Sequence, residues 1–403
     1  MSTATKNVAV INGAVKTGKQ IKAYQLIEKQ LNSFFLERRS VIRALMAAFI
    51  AGEHVFMIGE PGGGKTLLAD KFGRMVAGDS VFNLLLMKST APDELLGNVK
   101  YSSFKNDLQE RNIDGYLPSV RFAILDEIWK GNSTALNALL KAVNERIVKQ
   151  GATDLDIPLE MVTAMSNEYP EEKVLDALYD RFMVRMYVPC LQDSDSMRTL
   201  WKRRMKLENV PVLDATISQA DIEVLRKAVD NFGWSAGDVD IFDAIKNELV
   251  KEGFVPSTRT WERAPKMIAA NAVIDGRNHT VPSDFLMLAD MLWNRHTDRD
   301  QLFEIIGNAA DPYGSRAISI LDGIRAAMVE VPDFKMLKSG TMTKTQFLKA
   351  LTDVQIMLSS ENTKIQDLEE ATIDNASVTE ARDKWNAAKS VVDEAMNKAF
   401  SHR

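Results

Sequence analysis

The sequence predicts an α/β protein: a parallel sheet carrying a phosphate-binding loop, then a helical second domain and a mainly helical C-terminal extension. Three observations predict it. Short apolar runs alternate with helical patterns through the first half of the chain. One of those runs stops at a glycine-rich loop that opens a helix. After about residue 192 the strand signals fade while spacings of three and four persist.

Residues 1–20 are polar and mixed and read as a loose arm. From 21 to 51 the pattern is helical: Ile21, Tyr24, Ile27, Leu31, Phe34 and Phe35 recur mostly every three or four positions, and a second stretch, 41–51, runs to Gly52, a suitable C-cap. The apolar run 54–58 then reads as a buried strand, and 65–76 as the helix after it. Further strands are expected at 81–87, 121–125, 161–165 and 182–188, with a helix over 133–145. This alternation places the α/β domain at 21–192. A helical domain follows at 193–310, punctuated by Pro211, Gly233, Gly253, Pro256 and Pro282. The extension, 311–403, ends in two long helical patterns expected to form an antiparallel hairpin over 344–400, with Ser377 and Glu380 as a capping box for the second helix.

At 403 residues the chain is long enough for two or three domains. With 45% hydrophobic and 26% charged residues it has the balance of a soluble globular protein and needs no covalent staples. Its one cysteine, Cys190, excludes an intrachain disulfide. The four histidines show no metal-ligand spacing. No signal peptide is evident, and the longest apolar run, 44–51, is far short of the ~20 residues of a membrane span, so a cytoplasmic location is expected. A net charge of −5 argues against general affinity for nucleic acid.

The chemistry begins at Gly59-Glu60-Pro61-Gly62-Gly63-Gly64-Lys65-Thr66, a Walker A sequence in its required strand–loop–helix setting. Glycines let successive backbone N–H groups turn toward phosphate oxygens, and the helix N-terminus adds partial positive charge. Lys65 suits the β- and γ-phosphates of ATP or ADP, Thr66 offers a hydroxyl to Mg²⁺, and Leu67 completes the nucleotide-binding stretch. The strand 122–125 ends in Asp126-Glu127, a Walker B pattern. In a parallel sheet the C-terminal strand ends share one edge, so Asp126 is expected near Thr66 as a metal ligand and Glu127 is expected to polarise the attacking water.

These residues resemble the MoxR family of AAA+ ATPases, most closely its RavA branch. The likeness covers about residues 31–267 and rests on an ordered set of segments: Leu36-Glu37-Arg38, the Walker A loop, Pro92-Asp93-Glu94-Leu95-Leu96-Gly97, Gly115-Tyr116-Leu117-Pro118, Leu125-Asp126-Glu127-Ile128-Trp129-Lys130, the stretch 136–146, Ser166-Asn167-Glu168 and Ala177-Leu178-Tyr179-Asp180-Arg181-Phe182. The resemblance implies an AAA+ core with a helical lid. It implies Asn167 as sensor 1, Arg181 as an arginine finger acting on a neighbouring subunit, and Arg259 as the lid sensor arginine, with Arg263 close by as the other candidate. It further implies a homo-oligomeric ring, expected to be a hexamer, that remodels or matures protein complexes in a chaperone-like role, with a partner carrying a von Willebrand factor A domain. The extension departs from RavA-type proteins, so the partners of their extra modules are not carried over. Two other functions fit the same site: a nucleic-acid-associated motor or loader, for which the run Lys202-Arg203-Arg204 with Lys206 is the basic candidate, and an assembly factor in which nucleotide sets the oligomer.

Overall fold

The computed structural model describes residues 17–100, 110–150, 153–170, 176–371 and 375–401. The chain forms two compact units, Met1–Asp240 with Glu252–Phe303, and Ile241–Lys251 with Glu304–Arg403.

The first unit is an α/β fold built on a five-stranded, all-parallel sheet. Its strands are β1 (Val55–Ile58), β2 (Val81–Leu85), β3 (Phe122–Asp126), β6 (Met161–Ser166) and β7 (Val184–Tyr187), in the order β2-β3-β6-β1-β7. The central strands β1 and β6 are buried throughout, which is why their sequences read as apolar runs without alternation. Helices α1 (Gly18–Phe34), α2 (Arg39–Ala51) and α3 (Lys65–Ala77) flank the loop-bearing strand in sequence. Ten of the thirteen residues of α2 are buried, and it ends at Gly52 in the left-handed region, as expected. Phe49 of α2, Phe72 of α3 and Phe122 of β3 meet with ring centroids 5.7–6.3 Å apart and seal this side of the sheet.

Register decides what reaches the sheet edge. Ile58 pairs with Ser166 and with Tyr187, and Leu125 pairs with Ala164. The residues that follow these strands therefore emerge side by side at one rim.

A second, two-stranded sheet joins β4 (Ile147–Gln150) to β5 (Thr153–Asp156) antiparallel. The sequence reading contains no strand there. β5 is mostly exposed, and Lys149, Gln150, Asp154 and Asp156 leave the hairpin without the apolar run or clean alternation that marks a strand.

In the second unit, helices Pro312–Val329, Lys344–Ala371 and Ala376–Ser401 share an apolar core that includes Ile320, Ile324, Phe347, Leu351, Leu358, Val378, Ala381 and Val392. The last two helices run antiparallel: Lys344 Nζ donates to the Phe400 carbonyl at 3.2 Å, and Trp385 Nε1 donates to the Leu358 carbonyl at 2.7 Å. The cap of the final helix corrects the sequence reading. Asn375 Oδ1 accepts from the Ser377 and Val378 amides at 3.0 and 3.2 Å, so Ser377 lies inside the helix and makes no capping box. Among the described residues no helix is long and apolar enough to cross a membrane.

Candidate functional site

The loop after β1 is held against the chain leaving β7. The Val188 amide donates to the Ile58 carbonyl at 2.8 Å, and a Cβ on Gly59 would collide with the Val188 carbonyl oxygen. Gly64 precedes α3 with φ 82°, a conformation that L side chains rarely adopt. Gly59 and Gly64 are thus demanded by close packing and by backbone sign respectively, independent of any ligand.

Lys65 folds back over this loop. Its Nζ donates to the Gly59 carbonyl at 2.6 Å, to the Glu60 carbonyl at 2.9 Å and to Asn167 Oδ1 at 3.1 Å. All three acceptors are neutral, and burial pulls the ammonium below its ordinary range while Asp126 and Glu127 oppose that shift. Phosphate oxygens are stronger acceptors for an ammonium in this position.

The acids meet the loop as their placement at the strand ends predicts. Thr66 Oγ1 donates to Asp126 Oδ2 at 2.8 Å, and Asp126 Oδ1 accepts from the Glu127 amide at 3.0 Å. Glu127 sits in the left-handed region at φ 52°, a strained state costing ~1–3 kcal/mol that turns its side chain out of the strand direction. Its Oε1 accepts from Asn167 Nδ2 at 2.8 Å, and its Oε2 lies 3.2 Å from Lys130 Nζ. Lys65, Asn167, Glu127 and Lys130 therefore form one row across the ends of β1, β6 and β3. The donor set fits a nucleotide with a hard divalent cation: a hydroxyl and a carboxylate oxygen in contact, beside an ammonium and an open glycine loop.

The structure does not bring the two remaining arginines to this row. Arg181 and Arg259 line one cavity with Gly52, Glu53, His54 and Arg263. Gly52 to His54 precede β1, so this cavity lies at the opposite rim, about 13 Å away by the rise of four strand residues. The reason for Arg259 is the course of its helix. Thr258–Ile274 runs antiparallel to α2: Arg43 near the start of α2 bonds Asn271 and Asp275, while Arg263 pairs with Glu53 beyond its end at 2.8 Å. Arg259, one turn before Arg263, is consequently exposed beside the base of β1 and does not face its own loop. Arg263 is committed to buried Glu53. Arg181 Nε is buried and has no hydrogen-bond partner among the described residues. By contrast Arg185, four residues on and within β7, is engaged internally with the Trp293 carbonyl and Asn294 Oδ1.

Two residues escaped the sequence reading as functional. Lys130 pairs with Glu127, and Arg38 donates to the Gly63 carbonyl at 3.2 Å. Both stood in segments that carried the family likeness, without a role. Trp129, next to Lys130, packs on Phe56 and Tyr179, with ring centroids at 5.4 and 5.9 Å.

Comparison with known proteins bears on the family and the fold. Residues 22–227 match the family described as the MoxR domain in the MoxR–vWA–beta-propeller ternary systems, and residues 239–306 match an AAA lid domain. The first description does not name the RavA branch. An uncharacterized protein of Methanocaldococcus jannaschii is 31% identical over 325 residues, covering 79% of this chain and 82% of that one. The chaperone MoxR1 of Mycobacterium tuberculosis is 24% identical over 275 residues, covering 63% of this chain and 70% of its own. A crystal structure from Cytophaga hutchinsonii, provisionally assigned as an ATPase, superposes with a TM-score of 0.56 at 19% identity, covering 72% of this chain and 94% of that one; at that identity the likeness speaks for the fold.

Proposed function

The chain belongs to the MoxR family of AAA+ ATPases, and from that premise we propose that it is a magnesium-dependent ATP hydrolase that works as a homo-oligomeric ring and remodels or matures protein complexes. The observation that carries the reading is the contact of Thr66 with Asp126, beside the row Lys65–Asn167–Glu127 at the mouth of the glycine loop.

In this reading the residues 59–67 hold the nucleotide: backbone amides of the loop and the N-terminus of α3 take the phosphates, and Lys65 exchanges its carbonyl partners for phosphate oxygens. Thr66 and Asp126 hold Mg²⁺, which when bound neutralises charge on the β- and γ-phosphates. Glu127 accepts a proton from the attacking water once Asn167 is drawn toward the γ-phosphate and releases its carboxylate. Asn167 donates one amide hydrogen to Glu127 and accepts from Lys65, so it senses both sides of the reaction.

Arg181 and Arg259 serve the neighbouring subunit. Their shared cavity at the rim opposite the loop supports this, as does the unpaired Nε of Arg181. A guanidinium fork suits the equatorial phosphate oxygens of an adjacent site. In this reading the lid arginine also works in trans. The family description, which couples MoxR domains to vWA and beta-propeller proteins, supports a vWA-domain partner, and the chaperone name of the mycobacterial relative supports protein remodelling over a nucleic-acid motor.

Mixing tests the trans reading. Arg181→Ala and Lys65→Ala proteins should each be inactive, and so should Arg259→Ala. Mixtures of either arginine variant with Lys65→Ala should regain ATP turnover, because some sites then combine an intact loop with an intact neighbour. Recovery with Arg181→Ala but never with Arg259→Ala would return Arg259 to its own site. No recovery in either mixture would remove the trans assignment altogether.

A further inference from the structure

We propose that Arg38 is a positioning residue of the phosphate loop, tying the loop to the chain leaving β7; this rests on the reading of residues 59–66 as the nucleotide site. Arg38 lies between α1 and α2 and is only 5% exposed. Its guanidinium donates to three backbone carbonyls. Nη1 reaches its neighbour Glu37 at 2.9 Å, and Nη2 reaches Gly63 at 3.2 Å and also Pro189. None of the three acceptors carries a charge. An arginine keeps its proton even so, and a buried cation held only by carbonyls is costly to retain for packing alone.

The adjoining residue grips the same strand exit at a second point. Glu37 takes the left-handed region at φ 55°, and its carboxylate accepts the Gln192 and Asp193 amides at 2.9 and 3.0 Å. Those bonds, the Gln192 amide foremost, hold the Glu37 carboxyl below its usual range. Asp193 in turn caps the helix Ser194–Arg204 through the Ser196 amide at 2.8 Å. Glu37 therefore fixes Gln192 and Asp193 while Arg38 holds Pro189, and Arg38 alone of the two also reaches the loop.

The consequence follows from peptide geometry. The carbonyl and the following N–H of a trans peptide point in opposite directions. By holding the Gly63 carbonyl, Arg38 sets the direction of the Gly64 N–H, in a stretch whose glycines give it little stiffness of its own. A loop ordered in advance binds its ligand without a further ordering cost, and a retained positive charge beside it favours an anion. Arg38 therefore acts mainly on binding, not on the chemical step.

The test compares Arg38→Met, which keeps the apolar stem and removes the fork, with Arg38→Lys, which keeps charge and fewer donors. KM and kcat for MgATP, and binding of MgADP by the nucleotide-induced shift in melting temperature, are measured on the full chain. Arg38→Met should raise KM at least tenfold, equivalent to ~1.4 kcal/mol, with kcat within threefold of wild type and a smaller MgADP shift; Arg38→Lys should fall between. If Arg38→Met does not fold, Arg38→Lys decides, with a KM at least threefold above wild type expected. A KM within twofold of wild type in the decisive variant, or a tenfold loss confined to kcat, overturns the inference. Wild-type protein that binds no MgADP and turns over no MgATP sinks the nucleotide-site reading itself, which separates that failure from this one.

Discussion

Asn167 occupies the junction of the site. It accepts from Lys65 and donates to Glu127, so an ammonium meant for phosphate and a carboxylate meant for water are both occupied by one amide. Because Lys130 also neutralises Glu127, the proposed base is doubly restrained in this arrangement. Replacing it isolates its part. Glu127→Gln keeps the shape and a hydrogen-bonding oxygen, so MgATP should bind with a KM near wild type. Turnover should fall ~10²–10⁴-fold, the usual worth of a positioned general base. Steady-state kinetics with single-turnover measurements would check this, and turnover close to wild type would remove Glu127 from the water-activating role. Legibility at this scale was uneven. Lys65, Thr66, Asp126 and Glu127 could be read because adjacent residues and strand ends are local properties. The placement of Arg259 at the far rim and the contact of Arg38 with Pro189 depend on segments distant in the chain and could not.

At the scale of elements, the base of β1 is built around a histidine that cannot afford a proton. His54 is buried between Val143 and Val162: Nε2 lies 2.9 Å from the Val143 carbonyl, and Nδ1 accepts the Val162 amide at 3.0 Å. Those partners require the neutral ring with its hydrogen on Nε2. Burial, aided by Arg146, lowers the folded-state pKa to about 3. The unfolded chain titrates near ~6.5, so between these values it binds more protons than the folded one. The contribution is therefore complete above the unfolded value and lost as pH falls toward the folded one. From pH 7 to pH 5 this group should cost about 2 kcal/mol. Denaturant unfolding at both pH values should show wild type losing that much more than His54→Gln. Equal losses in the two proteins would mean that the histidine carries a proton in the fold. The strands of the parallel sheet were readable as short, mainly apolar runs, although Asn83 interrupts β2 and Arg185 interrupts β7. The β4–β5 hairpin was not, because its register joins one apolar pair, Val148 with Leu155, to pairs that include polar residues, and cross-strand pairing has no signature in a window of sequence.

At the scale of the whole molecule, the proposed site is incomplete in a single chain. In the proposed reading the loop rim receives phosphate, while Arg181 and Arg259 line a cavity at the opposite rim. A ring of identical subunits satisfies both rims at once through one head-to-tail contact. Nucleotide should then stabilise the oligomer by bridging it. In sedimentation velocity, Glu127→Gln with MgATP should run as a closed ring and dissociate when nucleotide is removed, while Arg181→Ala with MgATP should shift toward smaller species. Identical sedimentation with and without nucleotide would separate assembly from the site.

By itself the sequence determined the parallel α/β core, the glycine-rich loop after β1 and the two acids at the end of β3. Each of these is written in short-range terms: a buried strand is a run of apolar side chains, a phosphate loop is a set of backbone freedoms, and a strand end places its next residue at the rim. Only the tertiary structure decided which distant groups meet. It brought Asn167 between Lys65 and Glu127, spent Arg263 on Glu53, turned Arg259 toward the far rim and set Arg38 under Gly63. Apart from the shorter reach of Arg38 to Gly63, those outcomes depend on strand register and on the antiparallel course of one helix along α2, and both are settled by packing between segments about a hundred or more residues apart in the chain.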